Sequence, residues 1–139
     1  MAEQPEQAQV AILKSYRVVA VVGLSPKPER PSYQVAQYLQ NHGYRIIPVN
    51  PGCREILGEK CYPGLKDIPF PVEVVDIFRK AEAIPAIVDE AIVVGAKAIW
   101  LQLGLEEPQA AQKAGQAGLL VVQNRCMKIE YAALEEAKS

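Results

Sequence analysis

Hydrophobic positions along the chain fall into five short runs, and the stretches between most of them repeat at helical spacing. Val18 to Gly23 (VVAVVG) is nearly continuous and β-branched, the pattern of a strand buried on both faces. Arg45 to Val49 (RIIPV) follows, with Pro48 lacking an N–H and therefore expected near the strand end. Val72 to Phe78 (VEVVDIF), Ala98 to Leu103 (AIWLQL) and Leu119 to Val122 (LLVV) complete the set.

Between these runs, Ser32 to His42 places Val35, Ala36 and Leu39 on one helical face, and Gly43 is positioned to end it. Ile84 to Val94 lines Ile84, Ile87, Val88, Ala91 and Ile92 into one stripe, with Pro85 in the first turn and Gly95 after the last. Pro108 opens a helix through Ala117 that Gly118 closes, and its alanine-rich face suits close packing on a sheet. Two more helices are expected, over residues 4–15 before the first strand and 128–137 after the fifth.

Alternation of strands and helices predicts an α/β fold: one domain with a doubly wound, five-stranded parallel sheet and helices on both faces. The expected strand order is 3-2-1-4-5, with a ligand crevice beside the first strand where the winding reverses, at the carboxyl ends of the strands. A length of 139 residues suits one domain, and 50% hydrophobic content excludes a largely disordered chain.

Charge and cysteine content narrow the partners. A formal net charge of −1 calls for neither nucleic acid nor a membrane surface. No run reaches the roughly 18–20 apolar residues of a membrane span. The N-terminal stretch MAEQPEQAQVAILK lacks the pattern of a secretory signal. Cys53, Cys61 and Cys126 form no CxxC pair and lie far in sequence from the single histidine, His42, so reduced thiols in a cytoplasmic protein are expected.

Candidate chemistry concentrates in the loop Gly23-Leu24-Ser25-Pro26-Lys27-Pro28-Glu29-Arg30-Pro31-Ser32. Gly23 permits a sharp turn and close approach to a ligand. Ser25 and Ser32 offer hydroxyls, and Ser32 is placed to cap the next helix, whose N-terminus favours an anion. Lys27 and Arg30 add two cations, and three prolines reduce the entropy lost on ordering. These parts suit a phosphate or pyrophosphate; in a generic exposed loop the same charges would merely be solvated. The dinucleotide fingerprint GxGxxG is absent, since Ser25 and Pro28 stand where glycines would be required. The second strand ends in Asn50-Pro51, without the acidic residue that NAD binders offer to the ribose, although Asn50 retains hydrogen-bonding capacity. Ile77, Phe78 and Arg79 at the third strand's end, Ile84 beyond it, and Leu103-Gly104 at the fourth strand's end occupy the other crevice positions. Ile77 and Ile84 are equally readable as core.

The stretches VVGLSPKPERPSYQVAQYLQNHGYRIIPVNP, VDIFRK, IWLQLG and RCMKIEY resemble the signatures of the small stand-alone CoA-binding domain proteins. Those proteins are similar to the nucleotide-binding domain that opens the succinyl-CoA synthetase alpha subunit. The resemblance implies a Rossmann-like fold that binds coenzyme A through its adenine nucleotide end. It places Gly23, Ser25, Lys27, Arg30 and Ser32 at the phosphates, with Leu24 in the same loop. Asn50, Pro51, Ile77, Phe78, Arg79 and Ile84 would surround the adenosine, and Leu103 and Gly104 the departing pantetheine arm.

A catalytic role is less supported by the residues. The ligase relatives work through a phosphorylated histidine in a second domain, whereas His42 is expected at a helix C-terminus, facing solvent and away from the crevice. Asp76 reads either as a functional acid or as an acceptor tying down a loop. Cys126 beside Arg125 is the one candidate thiol, readable as inert or as a partner in a mixed disulfide with coenzyme A. Three functions follow: a non-catalytic module binding coenzyme A or an acyl-CoA as sensor, carrier or partner of another protein; an NAD(P)-binding sensor; or a small CoA-dependent enzyme using Cys126. No metal site is expected.

Overall fold

A computed structural model of the chain describes residues 5–137. Seven strands and five α-helices follow one another in it: α1 (Pro5–Ser15), β1 (Val18–Val22), α2 (Pro31–Asn41), β2 (Arg45–Val49), β3 (Glu55–Ile56), β4 (Glu59–Lys60), β5 (Val74–Ile77), α3 (Ile84–Val93), β6 (Ala98–Leu101), α4 (Pro108–Gln116), β7 (Leu120–Val122) and α5 (Met127–Ala137). The expected helix over residues 4–15 is present from Pro5, and residue 4 lies outside the described residues.

Alternation along the central strands divides the core in two. Val19 and Val21 pack with Ile12, Leu13, Val35, Leu39 and Met127 from α1, α2 and α5. Ala20 and Val22 pack with Ile84, Val88, Ala91, Ala110 and Ala114 from α3 and α4. The sheet is thus covered on both faces, which is why its strands read as unbroken apolar runs. Prolines in the first turns of α2, α3 and α4 cost no hydrogen bond there.

All five main strands are parallel, in the order β2-β1-β5-β6-β7. Counting only these five, that is 2-1-3-4-5, which corrects the expected 3-2-1-4-5. Pro48 supplies the physical reason. Its carbonyl accepts the Tyr62 N–H at 3.0 Å on the side of β2 away from β1, so its missing donor also faces outward. A further strand there would find a broken ladder, and β2 is therefore an edge. Tyr62 covers that edge instead, through its bridge to Val49 and the Asn50 N–H bond to its carbonyl (2.9 Å). The connection from β2 carries the antiparallel pair β3–β4 and a short 3₁₀ turn at Leu65–Asp67 before the chain crosses to the far side of β1.

The reversal of winding consequently lies between β1 and β5. β5 also stops earlier than its apolar run suggests, at Ile77, and β6 stops at Leu101. Beyond those ends, Phe78–Lys80 and Gln102, Leu103 and Leu105 form the rim of the crevice.

Candidate functional site

Adjacency of β1 and β5 brings the two richest motifs into contact. The Phe78 N–H donates to the Val22 carbonyl at 2.9 Å, so Phe78 and Arg79 stand directly beside Gly23. Gly23 has φ +88°, and a Cβ there would lie 2.9 Å from Arg79 Cδ, with the Phe78 carbonyl oxygen nearer still. The glycine is thus required by the neighbouring strand end as well as by the turn.

The loop after Gly23 is held by its own side chains. Ser32 is 5% exposed, and its hydroxyl accepts the Ser25 N–H at 3.0 Å. Ser25 Oγ in turn accepts the Lys27 N–H at 3.1 Å, and the Arg30 N–H closes a turn on the Lys27 carbonyl at 3.0 Å. Ser32 does not cap α2: the N-cap is Arg30, no side chain caps it, and Pro31 occupies the first turn. Two residues past the cap, the Ser32 hydroxyl turns inward and fixes the loop. Lys27 and Arg30 are left exposed at the mouth of a cleft lined by Gly23, Ser25, Pro31, Ser32 and Phe78.

A second cleft of about 540 Å³ opens on the other side of Gly23, between Asn50-Pro51 and Arg79–Ala83. The Asn50 side chain is engaged at both ends there. Its Nδ2 donates to the Leu24 carbonyl (2.9 Å) and its Oδ1 accepts the Gly52 N–H (2.8 Å), so it buttresses the loop after Gly23 against the β2 end. Beyond it lies an apolar recess of about 310 Å³ between Val49, Pro63, Leu65, Ala86 and Ile87, with Glu90 at its edge. Pro63 and Leu65 belong to the connection after β2, and the Pro63-Gly64 turn was the sequence signal for them.

On the opposite flank, at the end of β6, a cavity of about 590 Å³ is lined chiefly by apolar side chains, Leu103 and Cys126 among them. Phe78 lines this cavity and both clefts flanking Gly23, so one continuous groove crosses the top of the sheet.

Several expected site residues lie behind these walls. Leu24, Ile77 and Ile84 are fully buried in the core, and none of them lines the groove. Gly104 is also outside the lining; its N–H is taken by Asn124 Oδ1 at 2.7 Å, which anchors the β6 loop. Gly23, Ser25, Lys27, Arg30, Ser32, Asn50, Pro51, Phe78, Arg79, Leu103 and Cys126 do line it. His42 is the C-cap residue of α2, exposed, and its ring stacks on Tyr38 at 4.1 Å.

Asp76 ties down no loop, which corrects that reading. It sits in the middle of β5, between Val21 and Trp100, fully buried, and neither carboxylate oxygen has a hydrogen-bond partner among the described residues. Burial pushes its carboxyl well above the usual carboxylate range. Among the described residues no helix is long and apolar enough to cross a membrane.

Comparison with known proteins agrees with this fold. Residues 17–132 match the family described as CoA binding domain. The uncharacterized protein YneT of Bacillus subtilis is 37% identical over 94% of this chain and 97% of its own length. A solved structure of a hypothetical protein from Pyrococcus horikoshii, 43% identical, superposes with a TM-score of 0.90 over 97% of this chain and 99% of that one. The ADP-forming acetate–CoA ligase I of Archaeoglobus fulgidus is 31% identical over 80% of this chain, which spans only 18% of that enzyme.

Proposed function

We propose, from the premise that this chain belongs to the CoA binding domain family, that the groove across β1 and β5 binds coenzyme A. The adenosine fits the recess and cleft between Pro51, Pro63, Ala83 and Ile87. The phosphates fit the loop from Ser25 to Ser32, where Lys27 and Arg30 meet the start of α2 and Arg79 flanks them from the adjoining cleft. That convergence is the single observation that carries the reading. Lys27, Arg30 and a helix N-terminus meet at one cleft, and Arg79 lines the adjoining cleft across Gly23, in a chain of net charge −1, as a polyanionic ligand requires. The arm then leaves past Phe78 toward Leu103.

The role that fits is binding rather than catalysis: a sensor, carrier or partner module. The titratable groups lining the groove are the cations, Glu82 and Glu90 at the adenosine end, and Cys126 at the far end. Calorimetric titration of protein stripped of bound ligand tests this. Coenzyme A should bind at about micromolar affinity or tighter and NAD more weakly, because Asn50 brings no charge to a ribose. Absence of coenzyme A binding overturns the proposal.

Cys126 favours a second reading, thiol exchange at the end of the arm, because it is half-buried in the wall of the cavity the arm enters. Its thiolate would displace one coenzyme A thiolate from coenzyme A disulfide and keep the other in a mixed disulfide. Intact-mass measurement after incubation with that disulfide should show the adduct in the native chain and none in Cys126→Ser. No adduct in the native chain removes this reading and leaves the first.

A further inference from the structure

The cavity beside β6 differs in chemistry from the rest of the groove. Val35, Phe78, Leu103, Leu105 and Ile129 make its wall apolar, and its volume of about 590 Å³ is that of a small-ligand pocket. Leu103 and Ile129, 65% and 56% exposed, are two of the three most exposed large hydrophobic residues among those described, and both belong to this one concavity. A single exposed aliphatic side chain is ordinary, but two framing one apolar hollow are a surface that an apolar group would cover.

Three polar side chains enter the same lining, the exposed Arg79 and Lys80 and the buried Gln102. Gln102 is 5% exposed, and its carbonyl oxygen accepts the Met127 N–H at 3.2 Å. Because a backbone N–H can only donate, this bond fixes which end of the amide is oxygen. The Met127 bond leaves Nε2 for another partner, and Nε2 is not one of the buried, unpartnered polar atoms among the described residues, which are Gln9 Oε1 and the two Asp76 oxygens. A donor in the lining of a largely apolar cavity is available to an acceptor on a ligand.

Resting on the coenzyme A reading, we propose that this cavity receives the acyl group of an acyl-CoA bearing a short aliphatic chain. The Gln102 Nε2 donates to the thioester carbonyl, and the chain lies against Leu103, Leu105 and Ile129. Phe78, shared with the clefts flanking Gly23, is the ridge the arm passes to reach it. The distinction matters because free coenzyme A offers neither a thioester carbonyl nor a hydrocarbon tail, so the protein reports acylated rather than total coenzyme A.

Calorimetric titration of the full, ligand-stripped chain with coenzyme A and with acetyl-, butyryl- and hexanoyl-CoA tests this. Affinity should rise about two- to fourfold per buried methylene, so hexanoyl-CoA should bind at least about tenfold more tightly than acetyl-CoA. Ile129→Asp, at an exposed position where folding is not at risk, should bring that ratio close to one. S-hexyl-CoA, a thioether without the carbonyl, should bind about fivefold more weakly than hexanoyl-CoA. Equal affinity across the series, with coenzyme A still bound, overturns this inference alone. A ratio untouched by Ile129→Asp overturns it also, and equal binding of thioether and thioester removes the Gln102 contact. Failure of every coenzyme A derivative to bind overturns the function proposed above.

Discussion

Replacing Gly23 by alanine separates two demands that meet at one residue. The first is conformational: φ +88° places a side-chain-bearing residue in a region that costs about 1 kcal/mol. The second is steric. The added Cβ would lie 3.1 Å from the Phe78 carbonyl carbon and 2.9 Å from Arg79 Cδ, with the Phe78 oxygen closer than either. Arg79 is exposed and can move, but the Phe78 carbonyl is main chain at the end of a central strand. Relieving that overlap means shifting β1 against β5, for about 2 kcal/mol more. Gly118→Ala isolates the first demand, because Gly118 has φ +94° and nothing lies within 4 Å of where its Cβ would stand. Urea denaturation should therefore show Gly118→Ala losing about 1 kcal/mol and Gly23→Ala about 3 kcal/mol, the latter near 10 °C in melting temperature. Equal losses in the two variants would refute the steric argument, and with it the claim that the neighbouring strand end requires glycine at this position.

Ser32→Ala leaves the Ser25 N–H without its acceptor, so the loop loses one partly buried bond and coenzyme A affinity should fall about fivefold; unchanged affinity would show that the Ser32 bond does not order the loop for binding. Asp76→Asn removes an ionisable group whose folded-state pKa is raised. A raised carboxyl binds more protons folded than unfolded above the ordinary carboxylate range, so its contribution to stability falls as pH rises from about 4 toward the folded pKa. The stability difference between Asp76→Asn and the native chain, read as urea midpoints, should grow in favour of the variant from pH 4 to pH 7, and a pH-independent difference would contradict the unpartnered carboxyl.

Much of this protein is fixed by local chemistry. Unbroken β-branched runs such as VVAVV can only be buried on both faces, and the stripe from Ile84 to Ile92 can only be an amphipathic helix. The candidate phosphate loop was legible because glycine, serines, cations and a helix start follow one another within a few residues. Family membership was legible for the same reason, through motifs continuous in sequence.

Pairing between distant strands is a different kind of fact, because one residue decides which neighbours are permitted. Pro48 faces its missing donor outward and makes β2 an edge, so β5 crosses to β1 and carries Phe78 and Arg79 to the side of Gly23. With β5 beyond β2, those residues would stand far from the loop that follows it. Tertiary packing likewise decided which candidates face the groove. Ile77 and Ile84 share the strand and helix ends with Phe78 and Arg79, yet the side-chain alternation of β5 and the buried face of α3 turn them into the core. Ser32 and Asn50 hold the site by hydrogen bonds to main chain, and Ile129 lines one cavity with Leu103 and Leu105 because the Met127 N–H at the start of α5 is bonded to Gln102 just beyond β6. Local sequence determines elements and the chemistry each one carries; the geometry that joins them arises from contacts between residues far apart in the chain.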